Sequence, residues 1–215
     1  MKIKFFYSLA LIAIASFASC TKDKDNGSEG GTPDNPGTPI EPTTVTIGDK
    51  AYPIVKIGAQ SWTGGNYSGA GGAIFPTNPG AQYGKLYTYA EATAITPPTG
   101  WRLPTKEDYL ALLQTVEAVV VDNKSTTVDA IKKLQSVEGW SSGHKGTNVS
   151  GFNAFPAGLF ANNSFNALGD NTTFWTSSKT ADNNPYFMTV SKAELQFYHA
   201  AVTTEKFSVR FVKAN

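Results

Sequence analysis

Apolar and polar positions follow a strand-like pattern at both ends of the chain and a helical one between them. Thr44-Val45-Thr46-Ile47 and Ala51 to Ile57 read as two strands around Gly48-Asp49-Lys50. Gly58-Ala59 turns the chain again into Gln60-Ser61-Trp62. Gly64 to Gly84 is rich in glycine and reads as loop, and Leu86 to Thr93 as a short helix. Pro104-Thr105-Lys106-Glu107-Asp108 is a helix start, with Thr105 as cap and two acids at the positive end of the dipole. Tyr109, Leu112, Leu113 and Val116 follow at helical spacing. A second helix begins near Thr126-Thr127, with Val128, Ile131 and Leu134 on its buried face and Lys132, Lys133 and Gln135 elsewhere. From Phe174 onward the period is two. Phe174 to Ser177, Tyr186 to Ser191, Leu195 to Ala200 and Phe207 to Val212 are expected strands, with turns at Asp182 to Pro185 and Thr203 to Lys206. Strands at both ends with helices between them predict an α+β fold, not a βαβ array.

Two N-terminal segments stand outside this pattern. Met1-Lys2-Ile3-Lys4 is basic, Phe5 to Phe17 is uncharged and apolar, and Ala18-Ser19 precede Cys20. That is the layout of a secretory signal, and the apolar run is short for a transmembrane helix. Small residues directly before the only cysteine resemble the bacterial lipobox, with Phe17 where leucine is commoner. The resemblance implies a signal peptide over residues 1–19 and lipidation of Cys20. Residues 20–43, rich in Pro, Gly, Asp and Thr, bury too little apolar area to offset their ordering entropy and read as a linker. Residues 44–215 form the expected single domain.

Composition removes whole classes of function. Eighteen basic against seventeen acidic residues give a net charge of +1, which argues against nucleic acid as a partner. One cysteine and two histidines exclude disulfide frameworks, multi-cysteine zinc sites and three-histidine metal centres. No phosphate loop, Gly-x-Ser-x-Gly or His-Glu-x-x-His occurs. His144 lies in a polar loop, poor support for a catalytic base. His199 alternates with Leu195 and Phe197 and is expected at the core or its edge. Twelve acids lie in the domain, and nothing in the sequence marks a glycosidase pair. The only arginines, Arg102 and Arg210, sit beside core-type residues and are expected to bind carbonyls or carboxylates internally. Gly100-Trp101-Arg102-Leu103-Pro104 delivers an aromatic and a leucine that pin the following helix to the core.

Six blocks resemble a known family in their order: IGDKAYPIVKIGAQSW, YGKLYTYAEA, PPTGWRLPTKEDYLALL, GFNAFPAGLF, FWTSS and SVRFVK. Together they resemble the Fibrobacter succinogenes major paralogous (FISUMP) domain over about residues 44–213. The resemblance implies a secreted or surface lipoprotein with a C-type-lectin-like architecture, similar also to the sulfatase-modifying-factor fold. Formylglycine-generating members of that fold depend on cysteine chemistry, which this domain lacks. Trp175-Thr176-Ser177 offers no acidic or amide ligand where C-type lectins carry a calcium-binding Trp-Asn-Asp, so no metal and no cofactor are expected. Metal-free sugar binding needs an aromatic face flanked by amides. The loops supply Asn162, Asn163, Asp170, Asn171, Asp182, Asn183 and Asn184, with Tyr186 as a face; such residues are also what turns are made of. The expectation is a non-enzymatic glycan- or protein-binding lipoprotein of the cell envelope, anchored in the outer membrane and exposed at the surface. An adhesive or structural subunit of an envelope assembly is the alternative, and a polysaccharide-active enzyme is the less favoured third reading.

Overall fold

The computed structural model describes residues 43–77, 79–201 and 204–215. The expected signal peptide, Cys20 and nearly all of the expected linker lie outside the described residues. Among the described residues, no helix is long and apolar enough to cross a membrane.

The first sheet is antiparallel and joins the two ends of the domain. It contains β1 (Thr44–Ile47), β2 (Lys50–Ile57), β3 (Gln60–Thr63) and β10 (Val212–Ala214), in the order β1-β2-β3-β10. Gly48 and Gly58 turn it with positive φ, which only glycine adopts without strain. The second sheet has the order β4-β9-β8-β7, from β4 (Lys124–Ser125), β7 (Asn171–Lys179), β8 (Pro185–Ser191) and β9 (Leu195–His199). A separate hairpin pairs β5 (Leu159–Ala161) with β6 (Ser164–Asn166). Two helices, α1 (Tyr89–Ala94) and α2 (Lys106–Thr115), lie between β3 and β4, and α3 (Val128–Leu134) follows β4.

The helices correct the sequence reading in detail. α1 starts at Tyr89, not Leu86, because Thr88 caps it and Leu86 and Tyr87 bridge to Ala73 and Phe207. In α3, Ala130, Ile131 and Leu134 are buried, whereas Val128 in the first turn is 39% exposed. Gln135, off the apolar face, is nevertheless fully buried: its Nε2 donates to Ser191 O at 2.6 Å and its Oε1 meets His144 Nε2 at 2.9 Å. Behind α3 the loop returns to the carbonyls that helix ends leave unpaired. Thr147 N donates to Lys132 O at 2.8 Å and Ser150 N to Lys133 O at 3.1 Å.

Strand β7 separates two cores. Phe174 faces the first, with Trp62, Tyr109, Leu113, Ile131 and Phe152; Trp175 faces the second, with Tyr67, Tyr87, Phe207 and Phe211. Five consecutive residues of β7 are buried, Thr172 to Thr176, since both faces are covered. The aromatics interleave: Trp62 to Phe152 is 5.5 Å edge-on, and Trp175 to Phe207 is 4.3 Å between ring centroids.

The segment 207–212 is not the single strand its alternation predicts. All six residues are buried. Its backbone pairs in turn with Tyr87, Thr173 and Trp175, Tyr67, Thr63 and Arg102, so it threads between elements and follows no single ladder. At its centre Arg210 is fully buried. Its Nε donates to Asn66 Oδ1 at 2.7 Å, and its Nη atoms donate to Thr63 O at 2.6 Å, Phe152 O at 2.8 Å and Asn153 O at 2.8 Å. Phe152 and Phe174 offer their ring faces, with centroids 4.6 and 5.7 Å from the guanidinium carbon. Burial pulls the guanidinium down to about 9, so it stays charged at neutral pH.

Replacing Arg210 with Met leaves three carbonyls and an amide oxygen without donors. We expect a loss of about 3 kcal/mol or more in urea unfolding, with little recovery in Arg210→Lys, whose ammonium lacks the planar fork. A loss below about 1 kcal/mol would show that the post is dispensable.

The helix caps predict an acid limit. Thr88 with Glu91 and Thr105 with Asp108 form capping boxes. Partial burial raises both carboxyls, but it is outweighed. Hydrogen bonds from Thr88 and Gly72 to Glu91, and from Arg102 and Thr105 to Asp108, hold both below their usual range. A carboxylate depressed in the folded state stabilises fully above its unfolded pKa and loses that effect as pH falls through the folded value. Stability is therefore expected to fall below about pH 4. Asp108→Asn should be less stable at pH 7 and show a shallower acid decline, measured by thermal unfolding across pH; an unchanged slope would contradict the assignment.

Candidate functional site

The four tryptophans divide into three and one. Trp62, Trp140 and Trp175 are buried, and each indole N–H finds an internal acceptor: Gln60 Oε1 at 3.3 Å, Ser136 Oγ at 3.1 Å and Tyr87 O at 2.7 Å. Trp101 is half-buried and packs one side on the second core. Among the described residues its N–H has no hydrogen-bond partner. A partly exposed indole with a spare donor offers an apolar face and a polar edge together. The sequence reading has Trp101 and Leu103 pin the following helix to the core; both pack on the second core and stay partly exposed.

Local geometry fixes the ring. Gly100 has φ +86°, and Trp101 N donates to Pro98 O at 3.0 Å. Arg102 then exchanges both backbone hydrogen bonds with Val212, each at 3.0 Å. Its guanidinium holds Asp108 bidentately, one bond being 2.9 Å to Oδ1. Gln60 Nε2 donates to the same carboxylate at 2.9 Å.

Trp101 lines two grooves. One, of about 230 Å³, is bounded by Ile54, Lys56, Ser61, Lys213, Ala214 and Asn215. The other, of about 320 Å³, runs past Ala92, Thr93, Ile95, Pro97, Arg102, Leu103 and Ser177. A third, of about 340 Å³, lies by Tyr67 and Ile95 and contains Glu91, whose carboxylate closes the α1 cap and accepts from Gly72 N at 3.3 Å. None of these three grooves holds two carboxylates.

The amide-rich residues expected at a site are distributed differently. Asn162 and Asn163 both have positive φ and form the two-residue turn between β5 and β6. Asp170 pairs with Lys192 at 2.8 Å and accepts from Ser141. Asn171 begins β7, and its Oδ1 is buried without a partner. Asp182, Asn183 and Asn184 turn β7 into β8, where Thr180 N donates to Asn184 O at 2.9 Å. They sit at the far end of β7 from Asp170 and Asn171, roughly 25 Å away along a strand of this length. Tyr186 lies beneath Lys106 Nζ, 4.6 Å from its ring centroid, and edge-on to His199 at 5.4 Å.

Neither histidine stands in a catalytic arrangement. His199 ends β9 exposed, past the core edge set by Leu195 and Phe197. His144 rests edge-on against Trp140 at 5.6 Å. Burial, with Lys132 and Lys192 nearby, pushes its pKa down. Ser141, Asp170 and Lys192 form a small polar network in which Lys192 Nζ is 2.6 Å from Ser141 Oγ. Asp170 is largely exposed and holds Lys192 as an ordinary ion pair. Among the described residues, no three His, Cys, Asp or Glu side chains are grouped to hold a metal.

No curated protein matches this chain, and no solved structure does. The model of the Fibrobacter succinogenes major domain matches residues 55–213, which takes in β3, all three helices, Arg210, and the Trp101 and Lys213 walls of the groove. The chain belongs to the Fibrobacter succinogenes major domain family.

Proposed function

We propose that this protein is a surface lipoprotein that presents a non-enzymatic, lectin-like domain for binding glycan. The partly exposed Trp101 between two grooves carries the reading. An indole face stacks on the apolar side of a pyranose, while its N–H and nearby hydroxyls meet the sugar's own. The lipobox-like N-terminus supports anchoring through Cys20 in the outer membrane, with the domain facing outward. No cofactor, metal or nucleic acid enters this reading.

One observation favours an adhesive or structural subunit instead. Val119 and Val121, in the connection from α2 to α3, are 65% and 64% exposed. Exposed valines so close together suit a protein contact.

The full chain should bind discrete members of a glycan array, with and without calcium, and Trp101→Ala should weaken every hit about tenfold or more while thermal unfolding still shows a folded domain. Calcium-dependent hits would contradict the metal-free reading. A blank array with capture of a defined envelope protein, lost in Val119→Asp plus Val121→Asp, would favour assembly. Separately, Cys20→Ser should move the protein from the membrane to the soluble fraction of fractionated cells; retention in the membrane would contradict lipid anchoring.

A further inference from the structure

Three tyrosines pack together under the glycine-rich loop, and two of their hydroxyls are engaged. Tyr67 lies 5.9 Å from Tyr52 and 5.2 Å from Tyr87 between ring centroids. Tyr52 Oη accepts from Ser68 N at 3.0 Å, and Tyr87 Oη donates to Gly69 O at 3.1 Å. Among the described residues Tyr67 Oη has no hydrogen-bond partner, although Tyr67 is only 4% exposed. Burial, with Tyr52 and Asp49 nearby, pushes its pKa up, so the hydroxyl keeps a proton to donate. Tyr109 Oη is unpaired too, but it is sealed in the first core. Tyr67 Oη instead opens on the groove of about 340 Å³: Gly48, which lines that groove with Tyr67, would place a Cβ 3.4 Å from it.

The surrounding backbone holds this opening in place. A Cβ on Gly69 would stand 2.2 Å from Tyr67 Oη, so only glycine lets the loop lie against the ring. Lys85 Nζ ties the loop down through Gly69 O at 2.9 Å and Gly71 O at 3.1 Å. From α1 the groove receives the Glu91 carboxylate. Its Oε2 accepts from Thr88 N and Thr88 Oγ1, and its Oε1 from Gly72 N at 3.3 Å. A carboxylate has about four lone-pair sites, so Oε1 keeps one open. The other lining residues, Ala70, Gly71, Ala94, Ile95 and Thr96 among them, carry no charge. Asp49 near Tyr67 is exposed and pairs with Lys50 at 3.5 Å, and Lys206 stands near enough to Glu91 to favour its ionised form. Ile95 lines this groove and also the one beside Trp101, so the two meet at one side chain.

An unpaired donor and an open acceptor on one groove wall match a ligand whose groups both give and take hydrogen bonds, which is what sugar hydroxyls do. Ligand sites span about 300–1,000 Å³, and this groove is at the low end, suited to one small unit.

We propose that the groove is a second subsite of the same glycan site and takes a neutral sugar unit beside the one stacked on Trp101, an inference that rests on the glycan reading above. Tyr67 Oη donates to one hydroxyl of that unit, and Glu91 Oε1 accepts from another. Ile95 is the apolar bridge between the two units. The charge on Glu91 repels a carboxylate or sulfate, which restricts the subsite to neutral units.

The test titrates the full chain with cello-, manno-, xylo- and galacto-oligosaccharides, each as a ladder from monomer to hexamer. Affinity is expected to step up about tenfold or more at the length that first fills both subsites. Tyr67→Phe should remove that step and leave the shorter members binding as before, whereas Trp101→Ala weakens every length. The hydroxyl lost in Tyr67→Phe has no partner in the fold, so the melting temperature should stay at the parent value or rise. Glu91→Gln, which can still close the capping box, should lose the step and discriminate less against galacturonate oligomers. Tyr198→Phe, the same change on exposed β9, should keep the step. Binding without a length step, a step that survives in Tyr67→Phe, or a marked fall in melting temperature in that variant overturns the second subsite and leaves the Trp101 reading standing. A parent chain that binds no member of any ladder overturns both.

Discussion

A buried positive charge without a counter-ion among the described residues stands at the centre of this domain. Taking a guanidinium out of water costs several kcal/mol, and Arg210 recovers that through four neutral acceptors and two aromatic faces. Three of the acceptors are backbone carbonyls, of Thr63, Phe152 and Asn153. The chain at two remote places must therefore turn its carbonyls inward toward one point. Asn66 extends the arrangement, since its Nδ2 donates onward to Tyr83 O at 2.9 Å and Ser208 Oγ at 3.3 Å. The end of β3, the glycine-rich loop and the segment before β5 are thus fixed by one side chain. A carboxylate partner would have satisfied the charge more directly, but it would have left those carbonyls unpaired.

The surface groove inherits this constraint. Two residues after Arg210, Val212 pairs with Trp62 on one side and with the backbone of Arg102 on the other. One pairing sets Lys213 beside Ser61; the other sets Trp101 at the sheet edge. The Lys213 wall of the groove and the indole are therefore positioned by backbone ladders, with little left to side-chain freedom. Binding residues on rigid elements hold their geometry better than those on loops.

Local chemistry was legible in the sequence, and non-local pairing was not. Capping residues announced α2, and the turn at Gly48-Asp49 announced the first hairpin, because each depends on a few adjacent residues. Phe207 to Val212 alternates like a half-buried strand, yet it is covered on every side; alternation reports side-chain chemistry and carries no information about what covers the other face. That Trp101 packs on a core was legible, but that it keeps a partly open side was not. Four tryptophans look alike in a sequence, and only the packing tells which one keeps an open face. Lys56, Ser61 and Lys213 come to line one groove through the register of three strands, the last of them at the other end of the domain. The amides of Asn162, Asn163 and Asn183 were legible as turn formers, which is how their positive φ values use them.

The threaded segment also sets the order of events in biosynthesis. Phe207, Val209 and Phe211 belong to one core, Val212 to the other, and Arg210 joins the loops around them. Until residues 207–212 have left the ribosome, both cores lack a wall and the inward carbonyls lack their donor. Contacts between such distant parts of a chain form late and slowly. Neither core can close before that segment has been made, so the two cores are completed together and not one after the other.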